Sequence, residues 1–349
     1  MLRRSVAFIA SGIIDCEHRK NRKSKITSWL ATMKTALTHD IEIRYSRELA
    51  PLLRRNSLML CFCSRQDRRL LTLTVTAEEL EIELCTLPGP GLLAFAGNTA
   101  AVAVENQIQL FRLDAQPWCD RPRERAWWWL FPNRSRFLGA LGAADMDLTD
   151  ADLWLQSETD GGVVQMPLTE PMRPFWHPQD CSETTGGEWQ GCGLALDQSR
   201  PAYAALSRLR TRTPQCHLID LSVNRRLPVS LTQFHSPRLH MGELWLLDTV
   251  RPGICSVNRQ TGATAAHHGI KGIPTAATFQ GSSGFVASQA ADDETGTLQP
   301  RISVLDLRTG LASGHLQFVR GLSRIDSLAW TADTSGVRLT GGGLRAAWT

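Results

Sequence analysis

The chain is predicted to be all-β and built from a repeated unit. Three observations carry this: two matching tryptophan hairpins, two matching turn signatures, and a series of short apolar strands around them. Asp152-Leu153-Trp154-Leu155 is followed by Gly162-Val163-Val164-Gln165-Met166, and Glu243-Leu244-Trp245-Leu246 by Gly253-Ile254-Cys255-Ser256-Val257. In both, glycine stands eight residues after tryptophan, and each unit reads as an antiparallel hairpin. The two tryptophans lie 91 residues apart. Half of that interval is about 45 residues, the length of one four-stranded blade. The prediction is therefore a single β-propeller of six or seven four-stranded blades over residues 40–349.

Taken in chain order, the early strands are Leu58–Cys63, Leu70–Val75, Leu80–Leu84, Leu92–Phe95, Ala100–Val104 and Ile108–Leu113. Between the tryptophan hairpins, Gly193–Leu196, Ala202–Leu206 and Cys216–Leu221 supply the blade that the spacing requires. The unbroken apolar run Leu244–Leu247 implies burial on both faces, as for a blade between two others. The turns Asn258-Arg259-Gln260-Thr261-Gly262 and Asp306-Leu307-Arg308-Thr309-Gly310 lie 48 residues apart. In each, Asp or Asn bonds its own backbone and Gly accepts positive φ. The extra length is assigned to the polar loop Ala291–Pro300. At the C-terminal end only Ile325–Trp330 and Gly336–Thr340 remain, so Ile41–Tyr45 is expected to pair into that last blade and close the ring, covering an open edge.

Residues 1–39 have neither strand alternation nor an amphipathic helix and are read as a tail outside the fold, or as sequence before a natural start at Met33. Arg3-Arg4 and the apolar run Val6–Ile14 have the outline of a signal peptide, but Asp15 and Cys16 follow without a cleavage site. Nine cysteines, an odd number with no C-x-x-C pair, argue against a structural zinc site or a disulfide framework. Cys61 and Cys63 would share one strand face, as core residues. A cytoplasmic, monomeric protein is expected, with secretion as the alternative. No run reaches the roughly 20 apolar residues of a membrane span. A net charge of +4 without a clustered basic stripe speaks against a dedicated nucleic-acid surface.

The segment His235-Ser236-Pro237-Arg238-Leu239-His240-Met241-Gly242-Glu243-Leu244-Trp245-Leu246-Leu247 resembles the H-S-P-R-x-x-x-G-x-L-W-x-L signature of a bacterial family of conserved hypothetical proteins. The resemblance extends more loosely over Leu58–Gln289. It implies a propeller-like fold and no established activity. Such proteins carry C-H-L-N-G-L-A where this chain reads Trp189-Gln190-Gly191-Cys192-Gly193-Leu194-Ala195, so the His and Asn of that pattern are missing. The resemblance thus implies a divergent member.

The candidate ligand site is His235, Ser236, Arg238 and His240 with Asp145 and Asp147. Alignment of the two tryptophan blades sets Ser236 and Arg238 opposite Asp145 and Asp147, on the strand before each tryptophan strand, nearest the central channel. Arg offers bidentate hydrogen bonds to carboxylate or phosphate, and His can act as acid, base or ligand. The structural alternative makes Arg238 an internal ion pair and the histidines partners of backbone groups. The run Asp145, Asp147, Asp150, Asp152 lacks the glycine of a calcium loop, so no metal or other cofactor is expected, with Ca²⁺ or another divalent ion as the exception to test. A second candidate is 121–137, where arginines interleave with Trp127, Trp128 and Trp129. These could meet a partner or a nucleic acid, and otherwise form a long connector whose aromatics fold back on the propeller. The function expected is a module binding a small ligand or protein at the channel mouth. The alternatives are a metal-dependent, lactonase-like hydrolase in the channel, or binding through 121–137. Ser236, followed by proline, lacks a nucleophile elbow.

Overall fold

The computed structural model describes residues 41–349 except 77–78, 116–127, 139–141, 185–186, 209–214, 293–294, 333–336, 339–342 and 346–349. The proposed tail 1–39 therefore lies outside the described residues. Six sheets, antiparallel but for one edge pairing of two residues, form six blades, which resolves the expected six or seven to six. Blades 3, 4 and 5 are continuous in sequence, with inner strands Asp145–Leu148, Trp189–Asp197 and Phe234–His240. The inner strands of blades 2 and 6 are Pro90–Ala96 and Ile273–Gln280. Each inner strand touches the next, in ring order, around the channel.

Closure differs from the sequence expectation. Ser327–Ala332 pairs with Leu58–Ser64 and becomes the inner strand of blade 1. Glu42–Tyr45 instead pairs with Ala312–Arg320, as a fifth strand on the outer edge of blade 6. The expected strand Gly336–Thr340 is described only at Val337–Arg338, which pairs with Trp128–Trp129 on the outer edge of blade 2 and not with Ser327–Ala332, while Gly343–Arg345 pairs with Glu81–Glu83 on the outer edge of blade 1. Alternation in Ile41–Tyr45 reports one buried face and cannot name the partner that buries it.

The apolar residues explain why a blade must have neighbours. Six hydrophobic clusters occupy the six blade junctions. In Glu243–Asp248, Leu244 and Leu246 pack toward blade 4, whereas Trp245 and Leu247 pack toward blade 6. Side chains alternate across a strand, so a run apolar at every position feeds two cores. Cys61 and Cys63 lie with Met59 at the junction of blades 1 and 2, and burial pushes both thiols up, as expected of core residues.

The two turn signatures join the third and fourth strands of blades 5 and 6. Asn258 Oδ1 accepts from the N–H of Gln260 and Thr261, and Asp306 Oδ1 from those of Arg308 and Thr309. Gly262 and Gly310 both have φ of 72°. The extra length in blade 6 is a longer hairpin, Ser283–Ala291 with Leu298–Asp306.

The expected connector is a strand over half its length. Trp128–Phe137 is the fourth strand of blade 2, antiparallel to Gln107–Ala115. Pro132 sits where the register shifts between Leu110 and Phe111, one of the places where a sheet tolerates proline. Trp127 lies outside the described residues, and Trp128 and Trp129 lie on this strand, away from the channel. Among the described residues, no helix is long and apolar enough to cross a membrane.

Candidate functional site at the channel mouth

The inner strands of blades 3 and 5 occupy equivalent places, as the sequence alignment required. Asp147 is opposite Trp154 in register, and Arg238 is opposite Trp245. Both side chains face the channel.

Arg238 is not free to grip a ligand. Its Nη1 and Nη2 donate to Oδ2 and Oδ1 of Asp145, at 2.6 and 2.9 Å. Nη1 also donates to the carbonyls of Leu194 and Pro237. Asp145 in turn accepts from the backbone N–H of Leu194 at 2.8 Å and of Met146 at 2.9 Å. This network ties blades 3, 4 and 5 together across the channel. Its charges are paired and both carboxylate oxygens are hydrogen-bonded, which favours tolerance of a buried ion pair.

A backbone device delivers Arg238 to that position. Ser236 has φ of 49°, and the register shifts between His235 and Arg238. The resulting bulge presses Pro237 against Gly193, which has φ of 152°. A Cβ at Gly193 would stand 2.3 Å from Pro237 Cδ and 2.5 Å from the Ser236 nitrogen, so the glycine is required by close approach.

The histidines are also committed. His235 Nε2 donates to the Pro274 carbonyl at 3.3 Å, and Nδ1 accepts from the Ser236 hydroxyl at 2.9 Å. Burial lowers its pKa to about 4, so it stays neutral near neutral pH and is only a weak base toward Ser236. His240 Nε2 donates to the Gly281 carbonyl at 2.6 Å, and its ring stacks on Phe279.

Asp147 is different. It lines a cavity of about 420 Å³ at the end of the channel where the inner strands finish. Its Oδ1 accepts only the backbone N–H of Leu148, at 2.9 Å, and among the described residues no cation lies within ion-pairing distance. Desolvation raises its pKa to about 6, with the nearby Asp145 adding to the rise and Arg238 opposing it. Arg238 and His240 share this cavity, whereas His235, Ser236 and Asp145 do not line it. Phe95, Phe279 and Trp330 also line it. The sequence pattern did not single out these three. Their one signal was position, each lying in the second half of an inner strand.

The acidic run does not converge. Asp145 and Asp147 share the channel side of one strand, while Asp150 and Asp152 fall at the turn that follows. Among the described residues, three metal-capable donors come within 4.8 Å of one another at Asp248, Cys255 and His267 in blade 5, outside the channel. Asp248 is held there by Arg251 and by the N–H groups of its own turn.

Residues 47–325 match the model of a family described as a domain of unknown function, DUF4915. The chain belongs to that family. No functionally curated protein matches the sequence. Among solved structures, a chain of a nidogen–laminin complex is 11% identical, with a TM-score of 0.55 over 79% of this chain and 99% of that one. A protein of unknown function from Bacteroides caccae is 9% identical, with a TM-score of 0.51 over 78% of this chain and 98% of that one. At such identities the likeness concerns the fold alone. This member of DUF4915 is thus a six-bladed propeller of an uncharacterised family.

Proposed function

We propose that the protein is a binding module whose site is the cavity at the channel mouth. The observation that carries this reading is Asp147, a partly buried carboxylate with no ion-pair partner among the described residues, in a concave pocket lined by polar and apolar groups in similar measure. Such pockets with a few convergent polar groups are the usual form of small-molecule sites. A strongly shifted titratable group inside one supports the reading further.

The hydrolase reading has less support. A channel metal would need Asp147 together with histidines, yet His235 is turned to Pro274 and His240 to Gly281. We also read the His235-Ser236-Pro237-Arg238 segment as a family mark of structural origin, since its bulge and ion pair clasp three blades.

Ligand screening by thermal shift on wild type and Asp147→Asn tests the proposal. Ligands at the channel mouth should stabilise the wild type and lose that effect in the variant. Stabilisation by the same compounds in both proteins overturns the assignment. Metal analysis of purified protein tests the hydrolase reading separately. A stoichiometric divalent ion lost on Asp147→Asn would move the conclusion to an enzyme.

A further inference from the structure

We propose that the channel-mouth cavity selects an organic cation: an alkyl- or arylalkylammonium whose charge sits against Asp147 and whose apolar part packs on Phe95, Phe279 and Trp330. The inference rests on the reading of this cavity as a ligand site and names the class of ligand.

Charge balance carries the argument. The positive charge of Arg238 is matched by Asp145 through a bidentate pair, and Nη1 is further spent on two carbonyls. An incoming carboxylate or phosphate would have to break that network or approach a guanidinium already neutralised. His240 has its Nε2–H committed to Gly281. The inner strands of blades 1, 2 and 6 contribute no titratable side chain to the cavity wall. The unmatched charge is therefore the carboxylate of Asp147.

The rest of the wall suits the same ligand. The Trp330 indole N–H is spent on the Phe279 carbonyl, so what remains for a ligand is ring surface. Aromatic faces carry partial negative charge and attract ammonium groups, more strongly where water is excluded. A neutral ligand would leave Asp147 desolvated without compensation, and an anion would add repulsion. A cation relieves both, and the apolar residues hold its hydrocarbon part.

Isothermal titration calorimetry of the full chain with three matched probes tests this: phenethylammonium, phenethyl alcohol and 3-phenylpropionate. The ammonium should bind at pH 7 at least tenfold more tightly than the other two. In Asp147→Asn its affinity should fall to that of the alcohol. With Asp147 titrating at about 6, the ionised fraction drops about tenfold between pH 7 and pH 5, and affinity should follow. The groups facing this carboxylate are Asp145 on its own strand and Arg238 and His240 on the blade 5 strand. An affinity loss that persists unchanged in the Asn variant would assign the pH effect to His240 and overturn the role of Asp147. Tighter binding of the alcohol or the carboxylate, lost in the variant, overturns the cation class but keeps the ligand site. Binding of none of the three overturns both.

Discussion

Replacing Asp147 by Asn is expected to stabilise the protein above pH 6 and to leave it unchanged near pH 3. In the folded state the carboxyl titrates at about 6, against an ordinary value of 3.8. The fold therefore favours the protonated acid. The stability associated with this group is complete below the unfolded value and is lost as pH rises through the folded one. The gap is about two pH units, or about 3 kcal/mol once the group is fully ionised on both sides. Asn keeps the size and polarity of the neutral acid and cannot ionise, so the variant should recover about 2–3 kcal/mol at pH 7.5. Unfolding entropy of about 2 cal/mol/K per residue over some 300 residues converts this to a Tm rise of about 4 °C. Calorimetric melts of both proteins from pH 3 to 8, in amine-free buffer, should show curves that merge at low pH and separate through pH 4–6. A difference independent of pH, or a variant less stable at pH 8, would refute the reasoning. A carboxylate retained against such a cost is what a functional site leads one to expect.

Three further outcomes follow from the same geometry. Arg238→Met should lower stability by about 3–5 kcal/mol in chemical denaturation, because it strands the buried charge of Asp145, and adding Asp145→Asn should recover part of the loss. Gly193→Ala should cost about 2 kcal/mol or more, since the new methyl meets the backbone of Ser236 at a φ that side chains rarely adopt; an unchanged denaturation midpoint would contradict the close approach. Among the described cysteines, Cys216 should be the fastest to alkylate at pH 7, because the neighbouring Cys192 thiol, the Phe234 backbone and the Ser207 hydroxyl lower its pKa to about 6 against the effect of burial. Its labelling midpoint, followed by mass spectrometry, should rise in Cys192→Ala.

Much of the fold was legible because blades are local. Each hairpin carries its own alternation and turn chemistry, so the equivalence of Trp154 and Trp245 could be counted off the chain. The equivalence of Asp147 and Arg238 followed from it and holds in the register. Two local signals misled. The mixed arginine and aromatic run 121–137 read as a connector although most of it is strand, and Ile41–Tyr45 showed an alternation that fits any open edge.

The site was legible only as a set of positions. The chain by itself determined the blades, the faces of their strands, and the fact that Asp147 and Arg238 point into the channel, because period-two patterning and turn residues act over a few residues. Tertiary structure alone decided that Arg238 is spent on Asp145, 93 residues away, while Asp147 is left over. It also decided that Phe95, Phe279 and Trp330, from three different blades, line the same cavity as that carboxylate. Such pairings depend on the distance between strands brought together by ring closure, and no local periodicity encodes that distance.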